Sequence, residues 1–178
     1  MSVLLTTSRK GVFMNIRVAG IVKESIVDGP GIRYVIFAQG CKHNCPGCHN
    51  PHTHSFDGGY MVDIDDIIKE LALNPLLDGI TFSGGEPLEQ GDEFLDLAKR
   101  IKVNSNLNIM IYTGYLYETI IHSQNNSWKE LLHLCDIVVD GSFIEKEKDY
   151  RLVFKGSKNQ RIINLKETKK EGQIILME

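Results

Sequence analysis

Three of the four cysteines, Cys41, Cys45 and Cys48, stand within eight residues in the run Cys41-Lys42-His43-Asn44-Cys45-Pro46-Gly47-Cys48. This CxxxCxxC spacing places three thiolates around one point and suits an iron–sulfur cluster better than a disulfide frame. Full ligation of a [4Fe–4S] cube takes four cysteines, so three close ligands leave one iron without a protein sulfur. An iron so exposed can bind a substrate. Other readings of the same loop stay open. A zinc site would complete Cys3His with His49, His52 or His54. Disulfides need an oxidising compartment, and no apolar signal segment is read at the start of the chain. A fully ligated electron carrier would need Cys135, the one remaining cysteine.

Cys135 belongs to a different pattern. Trp128, Leu131, Leu132 and Cys135 recur at i, i+3, i+4 and i+7, one face of an amphipathic helix. A free cysteine packs as a small hydrophobe, so Cys135 reads as a core thiol. A second motif, Ser83-Gly84-Gly85-Glu86-Pro87, pairs two glycines with a carboxylate. Glycine lets the backbone approach a ligand and adopt positive φ, and a carboxylate beside it suits a ligand carrying an ammonium group. Gly-Gly-Glu-Pro is also an ordinary strand-to-helix turn; its weight comes from standing in one chain with the cysteine loop.

The elements that must position these motifs alternate between strand and helix. Arg33 to Gln39 is β-rich and delivers the chain to Gly40 and Cys41. Ile64, Ile67, Ile68 and Leu71 mark a helix that Asp63 would cap and that ends before Pro75. A strand at Gly79 to Ser83 is followed by the helical spacing Phe94, Leu97, Ala98 and Ile101, with Asp92 and Glu93 in the first turn and Lys99, Arg100 and Lys102 in the last, as the helix dipole favours. A strand at Asn108 to Tyr112, helical turns from Tyr115 to Ile121, the Trp128 helix and a strand at Ile137 to Asp140 complete the series. From Arg151 onward the pattern reads as strands or loop, with Gly156 and Gly172 as turn points.

Strands separated by helices imply βαβ units and right-handed crossovers. About five or six strands are too few for a closed eight-stranded barrel. The expected fold is therefore α/β, an incomplete, laterally open (β/α) barrel of mostly parallel strands. The loops holding Cys41 to Cys48, Ser83 to Pro87, Tyr112-Thr113-Gly114-Tyr115 and Asp140-Gly141-Ser142-Phe143 each follow a strand. Active sites of parallel α/β folds are built on that rim.

At 178 residues with 42% hydrophobic and 24% charged, the chain has the size of one domain with a real core. Residues 14–178 are expected to form that domain, with 1–13 a leader of no assigned role. The net charge of −3 argues against a general nucleic-acid binder, although residues 144 to 178 carry nine Lys or Arg against six Asp or Glu. No stretch approaches the roughly 20 apolar residues that cross a bilayer, so no membrane association and a cytoplasmic location are expected.

Together the motifs resemble the radical S-adenosylmethionine (SAM) superfamily, and within it the activating proteins of anaerobic (class III) ribonucleoside-triphosphate reductase. The resemblance runs from about Met14 to Asn164. It rests on Asp28-Gly29-Pro30-Gly31 with Arg33, Cys45-Pro46-Gly47-Cys48-His49-Asn50, Ser83-Gly84-Gly85-Glu86-Pro87-Leu88, Tyr112-Thr113-Gly114-Tyr115, Asp140-Gly141 and Gly156-Ser157-Lys158-Asn159-Gln160-Arg161. The last is the most discriminating. The resemblance implies that Cys41, Cys45 and Cys48 ligate a [4Fe–4S] cluster whose open iron is chelated by the methionine part of SAM. Gly47, Cys48 and His49 would lie against SAM, and Gly84, Gly85 and Glu86 would face its amino group. An electron from the cluster would break the sulfonium to methionine and a 5′-deoxyadenosyl radical, which takes a Cα hydrogen from a glycine of the reductase. No further catalytic side chain is implied; the reductase large subunit and a flavodoxin or ferredoxin-type electron donor are the implied partners. An open barrel fits a substrate that is a loop of another folded protein. A different glycyl-radical activase, such as that of pyruvate formate-lyase, or a non-catalytic zinc-binding interaction module are the alternatives.

Overall fold

The computed structural model describes residues 14–177; the expected leader, 1–13, lies outside the described residues. The chain order is β1 (Asn15–Ser25), β2 (Arg33–Ala38), β3 (Tyr60–Asp63), α1 (Ile64–Leu73), β4 (Gly79–Gly84), α2 (Gly91–Asn104), β5 (Asn108–Tyr112), α3 (Tyr117–Ile121), α4 (Asn126–Leu134), β6 (Ile137–Asp140), β7 (Arg161–Asn164) and α5 (Leu165–Glu171). All seven strands form one sheet in the order β3-β1-β2-β4-β5-β6-β7. The β2-β4, β4-β5 and β5-β6 pairs are parallel, whereas β1 pairs antiparallel with both β2 and β3, and β7 antiparallel with β6. Two reversals bring β3 back to the direction of β2, so five of the seven strands run the same way. The expected open α/β sheet is therefore present, with seven strands where five or six were expected. The additions are antiparallel or peripheral strands that a search for βαβ alternation does not count.

The sheet separates two apolar layers by the period-2 rule of strands. Ile109 and Ile111 of β5 and Val138 of β6 join the main core with Leu97, Ala98 and Leu131 of the helices. Met110, Ile137 and Val139 form a smaller cluster with Tyr112 and Phe154 on the opposite face. Helix starts follow local capping. The Asp63 carboxylate accepts the Asp65 N–H at 2.8 Å, and Asn125 accepts the Trp128 N–H at 3.3 Å. Trp128 in turn donates its indole N–H to the Leu88 carbonyl at 2.7 Å, fixing α4 to the turn that follows Glu86.

Arg33 is fully buried at the start of β2. It donates to Thr81 Oγ1 at 2.6 Å, the Ile80 carbonyl at 2.7 Å, Asn108 Oδ1 at 2.7 Å and the Pro30 carbonyl at 3.0 Å. Burial lowers its pKa to about 10. Thr81 hands the connection on by donating to the Asp28 carbonyl at 2.8 Å. The Asp28-Gly29-Pro30-Gly31 loop is thus anchored to β4 and β5 by one guanidinium. Cys135 caps the C-terminus of α4, is 2% exposed and belongs to the main core, as its helical register implies.

Candidate active site

At the C-terminal ends of β2, β4, β5 and β6 lies a cavity of about 360 Å³, within the range of small-molecule sites. Cys41, Cys45 and Cys48 all line it, together with His49, Gly84 and Gly85. The cysteine loop leaves β2 through Gly40, at φ +98°, where any Cβ would strike the Phe56 ring. Its return is fixed by backbone bonds: Gly40 N–H to the Thr53 carbonyl at 2.8 Å and Cys41 N–H to the His54 carbonyl at 3.1 Å. Inside the loop Gly47 takes φ +69° and lies close to the Glu145 carboxylate, and the Cys48 N–H closes a turn on the Cys45 carbonyl at 3.2 Å.

The Gly-Gly-Glu turn is locked directly onto this loop. Gly85 N–H donates to the Ala38 carbonyl and Glu86 N–H to the Gly40 carbonyl, both at 2.8 Å. A Cβ on Gly85 would lie 2.4 Å from the Gly40 carbonyl oxygen, and one on Gly84, at φ +94°, would lie 2.6 Å from the backbone of Phe37 and Ala38. The two glycines are thus required first by the approach of the turn to β2 and the cysteine loop. Their backbone still faces the cavity.

Glu86 has a different environment. It is 1% exposed and does not line the cavity. Its carboxylate accepts the Gly114 N–H at 2.8 Å, the Thr113 hydroxyl at 3.0 Å and its own turn's Leu88 N–H at 3.1 Å, and pairs with His43 Nε2 at 2.8 Å. That hydrogen bond to Glu86, opposed by burial, raises the His43 pKa. The His43 ring also packs edge-on against Tyr115, centroids 4.5 Å apart.

The remaining candidate residues fall around the same cavity. His49 lines it and tilts against Phe143, centroids 5.0 Å apart. Gly47 is exposed beside it. Asp140, by contrast, is fully buried, accepting the Tyr117 N–H at 2.8 Å and two bonds from Arg161. The Gly156-Ser157-Lys158-Asn159-Gln160-Arg161 motif acquires a role that sequence left open. Gln160 Nε2 donates to the Gly141 carbonyl at 3.0 Å and Asn159 Nδ2 to the Ser142 carbonyl at 2.8 Å, so the motif staples the loop after β6 to the cavity wall. Residues that sequence reasoning passed over include His43 and Thr113, whose signal was position within motifs already singled out; His54 enters that reasoning only as a zinc ligand.

The donor set fits an iron–sulfur cluster. All three thiols are free and half-buried on one cavity. Burial raises the pKa of Cys41. The Asn50 N–H points at Cys48 Sγ at 3.4 Å, the kind of bond that stabilises a ligating thiolate. His54 Nε2, also at this cavity, is buried without a hydrogen-bond partner among the described residues, a polar atom that a bound group would satisfy. No three His, Cys, Asp or Glu side chains among the described residues converge on a single-ion point, and cysteines of a polynuclear cluster each bind a different iron.

A family model described as a 4Fe-4S single cluster domain matches residues 27–163. The anaerobic ribonucleoside-triphosphate reductase-activating protein of Haemophilus influenzae is 33% identical over 150 residues, covering 79% of this chain and 93% of that protein. The chain belongs to this family. Its Escherichia coli K12 member is likewise 33% identical over 150 residues, covering 79% of this chain and 94% of its own length. The pyruvate formate-lyase-activating enzyme of Clostridium pasteurianum is 35% identical over 128 residues, which is 69% of this chain but 50% of that enzyme. Coverage of nearly the whole reductase-activating proteins, against half of the lyase-activating enzyme, sets this chain with the former.

Proposed function

We propose that this protein is a radical SAM activase that generates a glycyl radical on an anaerobic ribonucleoside-triphosphate reductase. The observation that carries the reading is the junction of two motifs at one cavity: three free thiols on a loop bonded through Gly40 to the Gly84-Gly85-Glu86 turn. Cys41, Cys45 and Cys48 would hold a [4Fe–4S] cluster, and Gly47, His49, Gly84 and Gly85 would border SAM, with Glu86 behind them. When bound, the cluster and SAM supply one-electron reduction and a hydrogen-abstracting equivalent. The chain's own task is positioning and exclusion of water. The glycines keep the turn close to the cysteine loop, Phe143 and Phe154 line the cavity with apolar surface, and the Asn159 and Gln160 bonds hold its far wall. A flavodoxin or ferredoxin-type protein would deliver the electron, in the cytoplasm. No helix among the described residues is long and apolar enough to cross a membrane.

The test is anaerobic mixing with SAM, reductant and either the reductase or pyruvate formate-lyase, followed by electron paramagnetic resonance. A glycyl doublet on the reductase is expected. A doublet on the lyase alone would overturn the assignment.

A further inference from the structure

The residues between the first two cluster cysteines are held from one side by two carboxylates of a single turn. Lys42 Nζ reaches Glu89 at 2.6 Å, and His43 Nε2 reaches Glu86 at 2.8 Å. His43 and Glu86 are 16% and 1% exposed at the side chain, so that pair is buried, whereas Lys42 is 70% exposed and meets the 7%-exposed Glu89 from the surface. Asn44, next in the loop, takes φ +47°, a left-handed turn conformation that Asn tolerates better than most non-glycine residues. Glu86 also grips the loop after β5 through Thr113 and Gly114. A Cβ on Gly114 would lie 2.4 Å from the His43 ring, so the two loops touch without room for a methyl group.

An ionised carboxylate offers about four lone-pair sites. His43, Thr113 and Gly114 all engage Glu86 Oε2 and the Leu88 N–H engages Oε1, and the side chain is 1% exposed and does not line the cavity. We infer that Glu86, assisted by Glu89, is a positioning residue that clamps the Cys41–Cys45 loop and the Thr113-Gly114 loop in place, and is not a ligand of the SAM amino group. This rests on the proposed function, because a clamp on the cysteine loop matters only if that loop holds a cluster. It divides the Gly-Gly-Glu motif into two tasks: the glycine backbone faces the cofactor and the carboxylate fixes the cluster loop. Glu86 and Glu89 then act on cluster retention, through Lys42 and His43.

The experiment compares reconstituted wild-type protein with Glu86→Gln and His43→Leu, the second removing the donor to Glu86 without touching Glu86 itself. Two quantities are read on the iron-loaded fraction: the rate of iron release to a chelator, and the Kd for SAM from its perturbation of the reduced cluster's paramagnetic spectrum. Thermal unfolding of each metal-free variant serves to separate cluster release from global unfolding. The clamp predicts iron release faster by about 10-fold or more in both variants, as for other partners of metal ligands, with Kd for SAM within about 2-fold of wild type. A direct contact to the ammonium group would instead weaken SAM binding by about 10-fold or more in Glu86→Gln. That result, whether or not iron release also speeds up, or an unchanged rate of iron release would each overturn the inference. Wild-type protein that holds no iron or does not respond to SAM would refute the proposed function itself.

Discussion

Replacing Gly85 by alanine tests the junction on which the site is built. The added Cβ would meet the Gly40 carbonyl oxygen at 2.4 Å and the Ala38 carbonyl oxygen at 3.0 Å, where an ordinary contact begins at 3.4 Å. Both neighbours are backbone, so rotation of a side chain cannot relieve the clash. The turn must retreat from the cysteine loop by about 1 Å, which stretches the Glu86 N–H to Gly40 and Gly85 N–H to Ala38 bonds from 2.8 Å beyond hydrogen-bonding range. Overpacking of this kind costs about 1–3 kcal/mol, and each lost bond adds about 1 kcal/mol. The total of about 3–5 kcal/mol is below the usual stability of a domain, so the variant folds, but its metal-free melting temperature falls by about 6–20 °C. Because the strain falls between the two motifs, SAM cleavage to 5′-deoxyadenosine under reducing, oxygen-free conditions drops sharply even at a temperature where the variant is folded. Differential scanning calorimetry and chromatographic assay of 5′-deoxyadenosine measure the two effects. An alanine variant that melts with wild type and cleaves SAM at the wild-type rate would refute the claim that the cysteine loop and the Gly-Gly-Glu turn are locked together.

Cys45→Ala abolishes the brown colour and the iron content of anaerobically reconstituted protein, whereas Cys135→Ala retains about four irons per chain, as three-cysteine ligation of a [4Fe–4S] cluster requires; metal analysis decides. Burial raises the Cys135 pKa from 9.0 to about 12. The folded state favours the neutral thiol, so its contribution is complete below the unfolded value and is lost as pH rises from about 9 toward 12, at up to about 1.4 kcal/mol per pH unit. Denaturant titrations of metal-free wild type and Cys135→Ala between pH 8 and pH 10.5 should therefore show the steeper alkaline decline in wild type. Arg33→Lys cannot reproduce the forked bonds to Thr81, Ile80, Asn108 and Pro30. It costs about 3 kcal/mol, two charged hydrogen bonds at the lower end of their range, measured by the same titration.

Much of the site is legible because its chemistry is local. The cysteine spacing, the glycine pair and the loops after the strands are contiguous in sequence, and the alternation of strands with helices places those loops on one rim. Helix α2 is equally readable, since Phe94, Leu97, Ala98 and Ile101 are all buried in the register their spacing implies. What escapes is set by distant partners. Glu86 looks like a ligand carboxylate in its motif, and its engagement by His43 and Thr113 arises from residues 43 and 27 positions away. The segment after Arg151 reads as strand or loop, yet Leu165–Glu171 is helical. Seven residues are too few to establish a 3.6-residue period, although Asn164 capping the Glu167 N–H and Gly172 at φ +69° are the start and stop signals of that helix.

The central claim, that one iron of a three-cysteine cluster is left for SAM, is tested most directly by hyperfine spectroscopy of the reduced protein with SAM labelled at its amino nitrogen and carboxylate oxygen. The account predicts coupling of both labels to the cluster in wild-type protein, retained in Cys135→Ala. A fully loaded cluster showing no coupling to either label with SAM in excess would contradict it.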